Sequence, residues 1–491
     1  MTLTVGQVAD WIHAEGDFDV STTVEGYSID SRTVAAGDLF FAVQGERFDG
    51  HDFVEAALEA GAAAAVVSTH WLVPATVDSC RILRVPESED CVLRALQGLA
   101  HQVRRHWGKR VIGITGSAGK TTTKECVAAV LASRFHVLKS AGNFNNGFGV
   151  PLQLLRLQPE HDVAVIEMGM NHGGEIAALA KIAEPDWAVV SNVAPVHLEH
   201  FANGVEDIAA AKRELVEALP VGGVAFLNAD DAYVSRFGNG RDVQQRSFGI
   251  HAASAYVRAV DVTSEGADGM RFTVEATSLE QDAANDSDRE GAPHLASEMW
   301  DSQSSPAHIA LLGEHNVYNA LAAIAIGLES GILLTQCIDA LAALQPGDKR
   351  GQQVEWHGAR LINDCYNSNP RALDAMVNAL MAVEAPRRIV IAGEMLELGS
   401  EADALHRACG EHMVRAGVDV VVGVRGHAAA LVDGAGPHAI FVETPEEAGA
   451  WMRQHLQPGD AVLLKASRGV RLERALLALA EPGQTQTWPT S

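Results

Sequence analysis

The chain has 491 residues and a formal net charge of −26, from 37 lysines and arginines against 63 aspartates and glutamates. This charge disfavours non-specific binding to nucleic acid or to an anionic membrane, and the length predicts about three domains. The six cysteines form no Cys-x-x-Cys pair, the first residues lack the basic and apolar regions of a signal peptide, and no apolar run is long enough to span a membrane, so we expect a cytoplasmic protein without membrane insertion.

The first 86 residues are expected to form a small α/β domain. The pattern predicts a helix over 5–13, a buried strand within 37–43 and another strand over 63–67. Polar loops beside these strand ends suit a small polar ligand, and ordinary turn chemistry explains them equally well. The loop residues concerned are Ser31, Arg32, Asp49 and His51.

A predicted helix over 91–107 leads to the most informative stretch, the turn Gly113-Ile-Thr-Gly116-Ser-Ala-Gly119-Lys120-Thr121-Thr122. The turn follows a short apolar run and precedes a helical pattern, which is the layout of a phosphate-binding loop. Lys120 would reach the terminal phosphates, and the Thr121 hydroxyl would hold a Mg2+ ion. Ile114 stands where such loops usually have glycine. A turn that binds nothing is the less favoured alternative, because Gly-Lys-Thr at a strand-to-helix junction is rarely accidental.

Two later strands also end near polar residues. The strand over 163–167 ends at Glu167, and the strand over 187–193 ends shortly before His197. Ligands of an open parallel sheet bind at the carboxyl ends of its strands, so Glu167 is placed to meet a Mg2+ held near Thr121. Taken alone, His197 or the helical Lys212 would more often be an ordinary residue. The presence of two strand ends with polar residues after one phosphate loop favours a functional site that these residues form together.

The connection at 139–151 is rich in asparagine and glycine. Its asparagine side chains both donate and accept hydrogen bonds, which suits the amide or sugar groups of a ligand. The alternative is a loop that needs residues able to adopt positive φ. The asparagines are Asn143, Asn145 and Asn146.

The second half of the chain changes pattern twice. Alternation over 255–276 predicts antiparallel strands, and the acidic stretch 278–307 predicts an extended, flexible insertion. His315 and Asn316 then precede an alanine-rich helix, where capping is the ordinary role of such residues.

A linker near 346–351 is expected to open the last domain. Five predicted strands alternate with helices there, as in a doubly wound sheet. No Gly-x-Gly-x-x-Gly occurs, which argues against a dinucleotide site.

Together these motifs resemble the Mur ligase family of peptidoglycan synthesis. The resemblance covers nearly the whole chain apart from 278–307 and the C-terminal tail. It rests on the phosphate loop, Glu167-Met-Gly, His197-Leu-Glu, Ala-Lys212-Arg-Glu, Gly-Glu-His315-Asn316 and Asp364-Cys-Tyr-Asn-Ser-Asn-Pro. It implies an α/β fold of three domains: a small N-terminal α/β domain that binds the UDP-substrate at 1–86, a central P-loop ATPase-like domain with a mostly parallel sheet at 87–345, and a C-terminal Rossmann-like doubly wound domain at 346–491.

Three stretches resemble the branch of the family that joins D-alanyl-D-alanine to UDP-N-acetylmuramoyl-tripeptide. They are Gly142-Asn-Phe-Asn-Asn-Gly-Phe-Gly-Val-Pro-Leu, Asp364-Cys-Tyr-Asn-Ser-Asn-Pro and Gly393-Glu-Met-Leu-Glu-Leu-Gly. The Asp-Asn-Pro-Arg typical of the diamino-acid-adding branch does not occur. The resemblance implies an ATP-dependent amide ligation in which the tripeptide carboxylate is first phosphorylated and the amine of the dipeptide then displaces phosphate.

The resemblance also implies a role for individual residues. Lys120 would stabilise the transferring phosphoryl group, Thr121 and Glu167 would hold one Mg2+, and His197 would help to hold a second. Lys212 would carry a carbamate near that metal. The remaining nucleotide residues would be Gly116, Ser117, Ala118, Gly119, Thr122, Asn316, Arg350 and Asp364. The UDP-substrate would contact Ser31, Arg32, Asp49, Gly50, His51, Asn143, Asn145 and Asn146, and the dipeptide would contact Tyr366, Asn367 and Asn369.

Two rival functions remain at this stage. The first is another ligase of the superfamily, either a diamino-acid-adding ligase or a folylpolyglutamate-type ligase. The N-terminal domain of uridine type argues against the folylpolyglutamate type. A nucleotide-driven switch without ligation is the other, and it would not need Glu167, His197 and Lys212 together. We expect a monomer, and the sequence leaves open the third residue of the acceptor peptide and the role of the acidic insertion.

Overall fold

The computed structural model describes residues 2–45, 48–196, 198–277 and 303–479, which build three successive α/β units. The first unit contains β1 (Leu3–Thr4), α1 (Val5–Ile12), β2 (Thr23–Val24), β3 (Gly26–Ser28), β4 (Asp38–Phe41), α2 (Val54–Glu59), β5 (Ala64–Ser68) and β6 (Ile82–Val85). Strands β3 to β6 form a parallel sheet in chain order, and β1 pairs antiparallel with β2. Thr4 and Gln7 form a capping box that begins α1.

The long helix α3 (Cys91–Trp107) joins the first unit to the central one. Its apolar face lies in a hydrophobic core that extends from Leu3 to the helices over the central sheet. The helix ends at Gly108, whose φ of +68° is a left-handed conformation that glycine adopts without steric cost.

The central unit is built on a nine-stranded sheet. Its elements are β7 (Arg110–Thr115), α4 (Lys120–Ala132), β8 (Val137–Lys139), α5 (Gly149–Leu154), β9 (Val163–Glu167), α6 (Glu175–Ala183), β10 (Trp187–Val190), α7 (Val205–Glu217), β11 (Val224–Asn228), β12 (Gln244–Gly249), β13 (Val257–Ser264), β14 (Met270–Ala276), β15 (Gln303–Ile309), α8 (Glu314–Glu329) and α9 (Leu334–Ala342). The strand order is β15-β14-β13-β12-β11-β10-β7-β9-β8, parallel from β13 to β8. Hydrophobic cores lie on both faces, as parallel sheets require.

The antiparallel strands predicted over 255–276 are confirmed as β13 and β14. The expectation for 278–307 is wrong at its C-terminal end, because 303–307 belong to β15, which pairs antiparallel with β14 from Ala276–Gln303 to Met270–Ile309. β15 is an edge strand with polar residues on its exposed side and Pro306 within it, a composition that resembles a loop but is tolerated at a sheet edge. Residues 278–302 lie outside the described part of the chain.

The last unit has a six-stranded sheet covered by helices on both faces. Its elements are β16 (Gln352–Trp356), β17 (Ala359–Asp364), α10 (Pro370–Met381), β18 (Arg388–Gly393), α11 (Ala402–Ala416), β19 (Val420–Val424), α12 (Ala428–Ala435), β20 (Ala439–Val442), α13 (Pro445–His455), β21 (Ala461–Lys465) and α14 (Arg474–Leu477). The order is β16-β17-β21-β18-β19-β20, with only β16 antiparallel. All five predicted strands are present, and β16 is an additional edge strand.

The α/β class and the mostly parallel sheets agree with the sequence-based expectation. The six cysteines are unbridged. Within the described ranges no helix is long and apolar enough to cross a bilayer. The domain boundaries at 86 and 345 stay a prediction.

Candidate active site

The phosphate loop connects β7 to α4, and two of its glycines are sterically required. A Cβ on Gly116 would lie 2.0 Å from Ser191 Oγ. Gly119 has a φ of +82°, and a Cβ there would lie 2.9 Å from Asn319 Oδ1. The loop therefore packs so closely on its neighbours that larger residues would displace it.

Asn192, which follows β10, holds the loop from one side. Its Oδ1 accepts from the Ala118 N–H at 3.0 Å, and its Nδ2 donates to the Ala118 carbonyl at 2.9 Å. The Ser117 N–H donates to the Asn192 carbonyl at 3.0 Å. Asn192 was not predicted as a site residue from the sequence. Its position just after β10, at the carboxyl end of a predicted strand, could have indicated it.

Lys120, Thr121 and Glu167 are brought together at the carboxyl ends of β7 and β9. The Lys120 ammonium donates to the Gly116 carbonyl at 2.8 Å, and its burial lowers its pKa from the usual value. The Thr121 hydroxyl donates to Glu167 Oε2 at 2.8 Å, and Asn145 Nδ2 donates to Glu167 Oε1 at 2.9 Å. Thr122 is half-buried in the first turn of α4.

The buried Lys124 is a second residue that the sequence analysis did not select. Its ammonium donates to the Ser140 carbonyl at 2.7 Å and lies 4.0 Å from Glu167 Oε2. Ser140 in turn accepts from the Glu167 N–H at 3.1 Å through its Oγ. The Glu167 carboxylate, which is almost fully buried, is therefore held by several partners and has a cation nearby.

A Mg2+ ion fits the oxygen atoms that meet here. A threonine hydroxyl next to a carboxylate is a hard donor pair of the type that Mg2+ takes, with phosphate and water completing its shell. Within the described residues no group of three or more His, Cys, Asp or Glu could hold a metal by itself. His197 lies outside the described residues, so its role at a second metal stays a prediction.

Lys212 lies on α7 and its side chain is buried. Burial, together with the positive charge of Lys120, lowers the pKa of Lys212 well below the usual 10.5. A neutral lysine amine is the form that reacts with carbon dioxide, because the protonated form has no lone pair.

Residues of the last unit reach the phosphate loop. Arg350 Nη2 donates to the Thr121 hydroxyl at 2.9 Å, and the Arg350 guanidinium carbon lies 3.8 Å from the centre of the Tyr366 ring. Asp364 accepts from the buried Lys465 ammonium at 2.5 Å. Arg350 therefore bridges the phosphate loop and the loop after β17.

The other two residues predicted to contact the dipeptide have local structural partners. Asn369 Oδ1 accepts from the Ala372 N–H at 2.9 Å and caps α10. Asn367 Oδ1 accepts from the neighbouring Ser368 N–H at 2.9 Å, while its carbonyl accepts from Lys465.

Asn316 connects the start of α8 to the phosphate-loop helix. Its Nδ2 donates to the Leu312 carbonyl at 2.7 Å, and its Oδ1 accepts from Asn319 at 2.8 Å. Asn319 Oδ1 accepts from the Thr123 hydroxyl at 2.9 Å. Beside Asn316, burial lowers the pKa of His315 to about 4.

The predicted residues of the first unit separate into two groups. Asp49 and His51 are joined at 2.6 Å and line a cavity of about 290 Å³, which Ser31 and Arg32 do not line. Gly50 lies between them in the chain. A Cβ on Gly50 would be 2.6 Å from backbone atoms of Ala42 and Val43, the two residues that follow β4. Arg32 is exposed and pairs with Asp30 at 2.6 Å, which lowers the pKa of Asp30 to about 2.

Among the three loop asparagines only Asn145 reaches Glu167. Asn146 Oδ1 accepts from the Gly149 N–H at 2.9 Å and stabilises the start of α5. Asn143 is exposed.

Comparison with known proteins decides the family. Residues 23–95 match the model described as "Mur ligase family, catalytic domain", residues 114–327 the "Mur ligase middle domain", and residues 349–468 the "Mur ligase, glutamate ligase domain". The UDP-N-acetylmuramoyl-tripeptide–D-alanyl-D-alanine ligase of Bacillus subtilis is 33% identical over 94% of this chain and 94% of its own length. The chain belongs to the Mur ligase family. It is an enzyme of the ATP-dependent ligase class that forms amide bonds.

Other relatives of this Mur ligase support the same placement. The enzyme of the same name from Escherichia coli is 34% identical, with 98% of this chain and 99% of that protein covered. The crystal structure of MurF from Acinetobacter baumannii aligns with a TM-score of 0.84 and 28% identity over 98% of this chain and 99% of that one. A MurF ligase from Thermotoga maritima, solved in complex with ADP, aligns with a TM-score of 0.76 and 28% identity over 92% and 96% of the two chains.

Proposed function

We propose that this Mur ligase joins D-alanyl-D-alanine to UDP-N-acetylmuramoyl-tripeptide and cleaves ATP to ADP and phosphate. The product is the UDP-muramoyl-pentapeptide precursor of peptidoglycan. The observation that carries the proposal is the contact of Arg350 with Thr121, because it joins the phosphate loop to the Tyr366 loop where an acceptor amine can approach. The full-length similarity to relatives of this name supports the choice of substrates.

The first step activates the tripeptide carboxylate. One carboxylate oxygen attacks the γ-phosphorus of ATP, the bond from that phosphorus to the β,γ-bridging oxygen breaks, and ADP leaves with the electron pair. Such a transfer needs positioning and positive charge more than covalent help from the protein. Lys120, which donates to the loop carbonyl of Gly116, would turn to the transferring phosphoryl group. The N–H groups of 119–122, beyond the two that Asn192 holds, would bind the remaining phosphate oxygens.

The second step forms the amide. The neutral amine of D-alanyl-D-alanine attacks the acyl carbon, a tetrahedral intermediate forms, and the C–O bond to phosphate breaks with loss of the amine proton. The carboxylate oxygen is a poor leaving group until it is phosphorylated, which explains the need for ATP. Tyr366, Asn367 and Asn369 would position the dipeptide, with Arg350 and Asp364 closing over the nucleotide.

Thr121 and Glu167 would hold a Mg2+ ion, and His197 would help to hold a second. The metal supplies positive charge that offsets the charge on the phosphate oxygens. Lys212, whose lowered pKa favours the neutral amine, would carry a carbamate and so present a carboxylate near the second metal. Asn316 would contact the adenine.

The first unit would bind the UDP end of the substrate. Asp49 and His51 border a cavity large enough for part of a nucleotide, and Gly50, Ser31 and Arg32 would extend this surface. Asn143, Asn145 and Asn146 would contact the muramoyl-peptide. We also propose the domain limits 1–86, 87–345 and 346–491, a cytoplasmic location and a monomer.

Phosphate release from ATP tests the function. Release is expected to require both UDP-N-acetylmuramoyl-tripeptide and D-alanyl-D-alanine and to yield a UDP-peptide that is heavier by the dipeptide residue mass. Release that responds to a diamino acid instead would assign the chain to the sister ligase. Slow release that neither acceptor changes would contradict ligation and favour a nucleotide switch.

A further inference from the structure

Three loops meet beside Tyr366, at the carboxyl ends of strands β17, β18 and β21. They are the 364–370 loop, the 393–399 loop and the 465–471 loop. The Leu396 N–H donates to Ser467 Oγ at 2.9 Å, which ties the second loop to the third. None of the residues assigned so far gives the second and third loops a role.

The Tyr366 ring has a guanidinium group near it from each of two arginines. The guanidinium carbon of Arg350 lies 3.8 Å from the ring centre, and that of Arg468 lies 5.8 Å from it. Arg350 turns towards the phosphate loop through its contact with Thr121. The side chain of Arg468 is 56% exposed and belongs to the loop after β21. Arg468 therefore lies next to the 364–370 loop and, unlike Arg350, has no contact with the phosphate loop in the described part of the chain.

Arg468 keeps guanidinium N–H donors available for an anion. Its Nη1 lies 3.1 Å from Glu473 Oε1, but the same carboxylate oxygen is 3.4 Å from the Lys349 ammonium. The Lys349 ammonium also lies 3.6 Å from Asp348 Oδ2. These two cations therefore have two carboxylates beside them, of which Arg468 contacts Glu473. A guanidinium has five N–H donors in a planar fork, so one carboxylate partner leaves others free for a second.

An exposed apolar side chain lies beside this charge. Leu396 is 38% exposed, and its Cδ1 would be 2.8 Å from a Cβ placed on Gly469. Leu396 therefore covers the backbone of the residue that follows Arg468. Positive charge next to a small apolar surface matches the chemistry of a C-terminal alanine, which has a carboxylate and a methyl group.

We propose that Arg468 binds the free C-terminal carboxylate of the acceptor dipeptide and that Leu396 packs against its terminal methyl group. The inference rests on the proposed function and adds the specificity of the same site. The two guanidinium carbons are at most about 10 Å apart, a limit that allows an extended dipeptide of roughly 7 Å between them. The amine would point to Arg350 and the phosphate loop, and the carboxylate to Arg468.

The decisive experiment compares two acceptors in several variants. Wild-type enzyme is expected to use D-alanyl-D-alaninamide with a kcat/KM about 10- to 100-fold below that for D-alanyl-D-alanine, because the amide lacks the charge. Arg468→Gln is expected to lose this discrimination, with kcat/KM for the acid falling to that for the amide and KM for ATP unchanged. Arg468→Lys keeps the positive charge and is expected to retain part of the discrimination between the two acceptors. Arg474→Gln is the matched control, since Arg474 is similarly exposed but pairs with Glu446.

Each alternative result decides against the inference. A wild-type enzyme that uses acid and amide equally well overturns it without any variant, so a poorly folding Arg468→Gln protein does not leave the question open. Discrimination that survives in Arg468→Gln also overturns it. Absence of turnover with any D,D-dipeptide would instead contradict the proposed function itself, which is a distinguishable result.

The methyl contact has its own measurement. Leu396→Ala is expected to reduce the preference for D-alanyl-D-alanine over D-alanyl-glycine by roughly fourfold, the value of one buried methyl group. An unchanged preference would remove Leu396 from the proposed site and leave the Arg468 result to stand on its own.

Discussion

Arg350 of the last unit donates a hydrogen bond to the hydroxyl of Thr121 in the phosphate loop, over 2.9 Å. The two residues are 229 positions apart in the chain. The same hydroxyl donates to Glu167, so one threonine oxygen joins a carboxylate of the central sheet to a cation of the last unit. Closure of the last unit on the nucleotide can act through this contact.

Replacement of Arg350 by lysine is expected to lower kcat/KM about tenfold or more. Lysine keeps the charge but loses the planar group that both contacts Thr121 and stacks on Tyr366. Steady-state phosphate release measures the effect. Arg371→Lys is the control, because Arg371 also crosses between the units but donates to the Val193 carbonyl. Equal losses in both variants would contradict a specific role for Arg350.

Glu167→Gln is expected to raise the Mg2+ concentration for half-maximal activity about tenfold and to lower kcat. Glutamine has the same shape but removes the charge that would hold the metal. Titration of activity with MgCl2 measures the shift. Glu125→Gln, one helical turn from Thr121, removes a neighbouring carboxylate that contacts Lys124 instead. If Glu167→Gln leaves the Mg2+ response unchanged, the predicted metal site is wrong.

Asn192→Ala is expected to raise KM for ATP about tenfold, because both side-chain hydrogen bonds to the Ala118 peptide are lost. Asn192→Asp keeps the acceptor for the Ala118 N–H but turns a carboxylate oxygen to the Ala118 carbonyl and adds negative charge near the phosphates, so its effect should be at least as large as that of Asn192→Ala. Nucleotide affinity can be measured by calorimetry without the other substrates. Wild-type affinity in the alanine variant would mean that the loop keeps its shape without the Asn192 hydrogen bonds.

Lys212→Met is expected to abolish ligation but to raise Tm at neutral pH by ~2 °C. Burial depresses the pKa of Lys212, so below 10.5 the unfolded chain binds a proton that the folded chain does not. Wild-type stability should therefore increase as pH rises towards 10.5, and the variant should lose this increase. Thermal unfolding from pH 7 to 10 in buffer free of carbon dioxide measures it, with the exposed Lys181→Met as control. Identical pH profiles in wild type and variant would refute the assigned pKa direction.

His315→Gln is expected to make the enzyme less sensitive to acid. The pKa of His315 is about 4 in the folded chain against 6.5 normally, so between these values the unfolded chain takes up the extra proton. Wild-type stability should decrease as pH falls from 6.5 towards 4, with a shallower decrease in the variant. Denaturant unfolding at several pH values measures the slope. The exposed His438→Gln should behave like wild type, and a variant slope as steep as wild type would contradict the prediction.

The sequence by itself determined which residues could handle phosphate. The order of strand, glycine-rich turn and Gly-Lys-Thr placed Lys120 and Thr121 at a helix start, and Glu167 at the end of a strand, because these features depend on local backbone geometry. Helix α3 was also predicted over its observed bounds, since its apolar periodicity is strong. The alternation over 255–276 likewise identified two antiparallel strands.

Only the tertiary structure decided which residues meet. Asn192 and Lys124 hold the loop and Glu167 through contacts between separate strands and helices, and no local pattern encodes such contacts. Edge strand β15 escaped prediction because its stability comes from pairing with β14 and not from its own polar composition. Arg350 and Arg468 are linked to the same site only because chain packing places the Tyr366 ring near both. A short stretch of sequence determines the local backbone geometry and the chemical groups it presents. The distance between side chains that are far apart in the chain depends on how the sheets and helices pack.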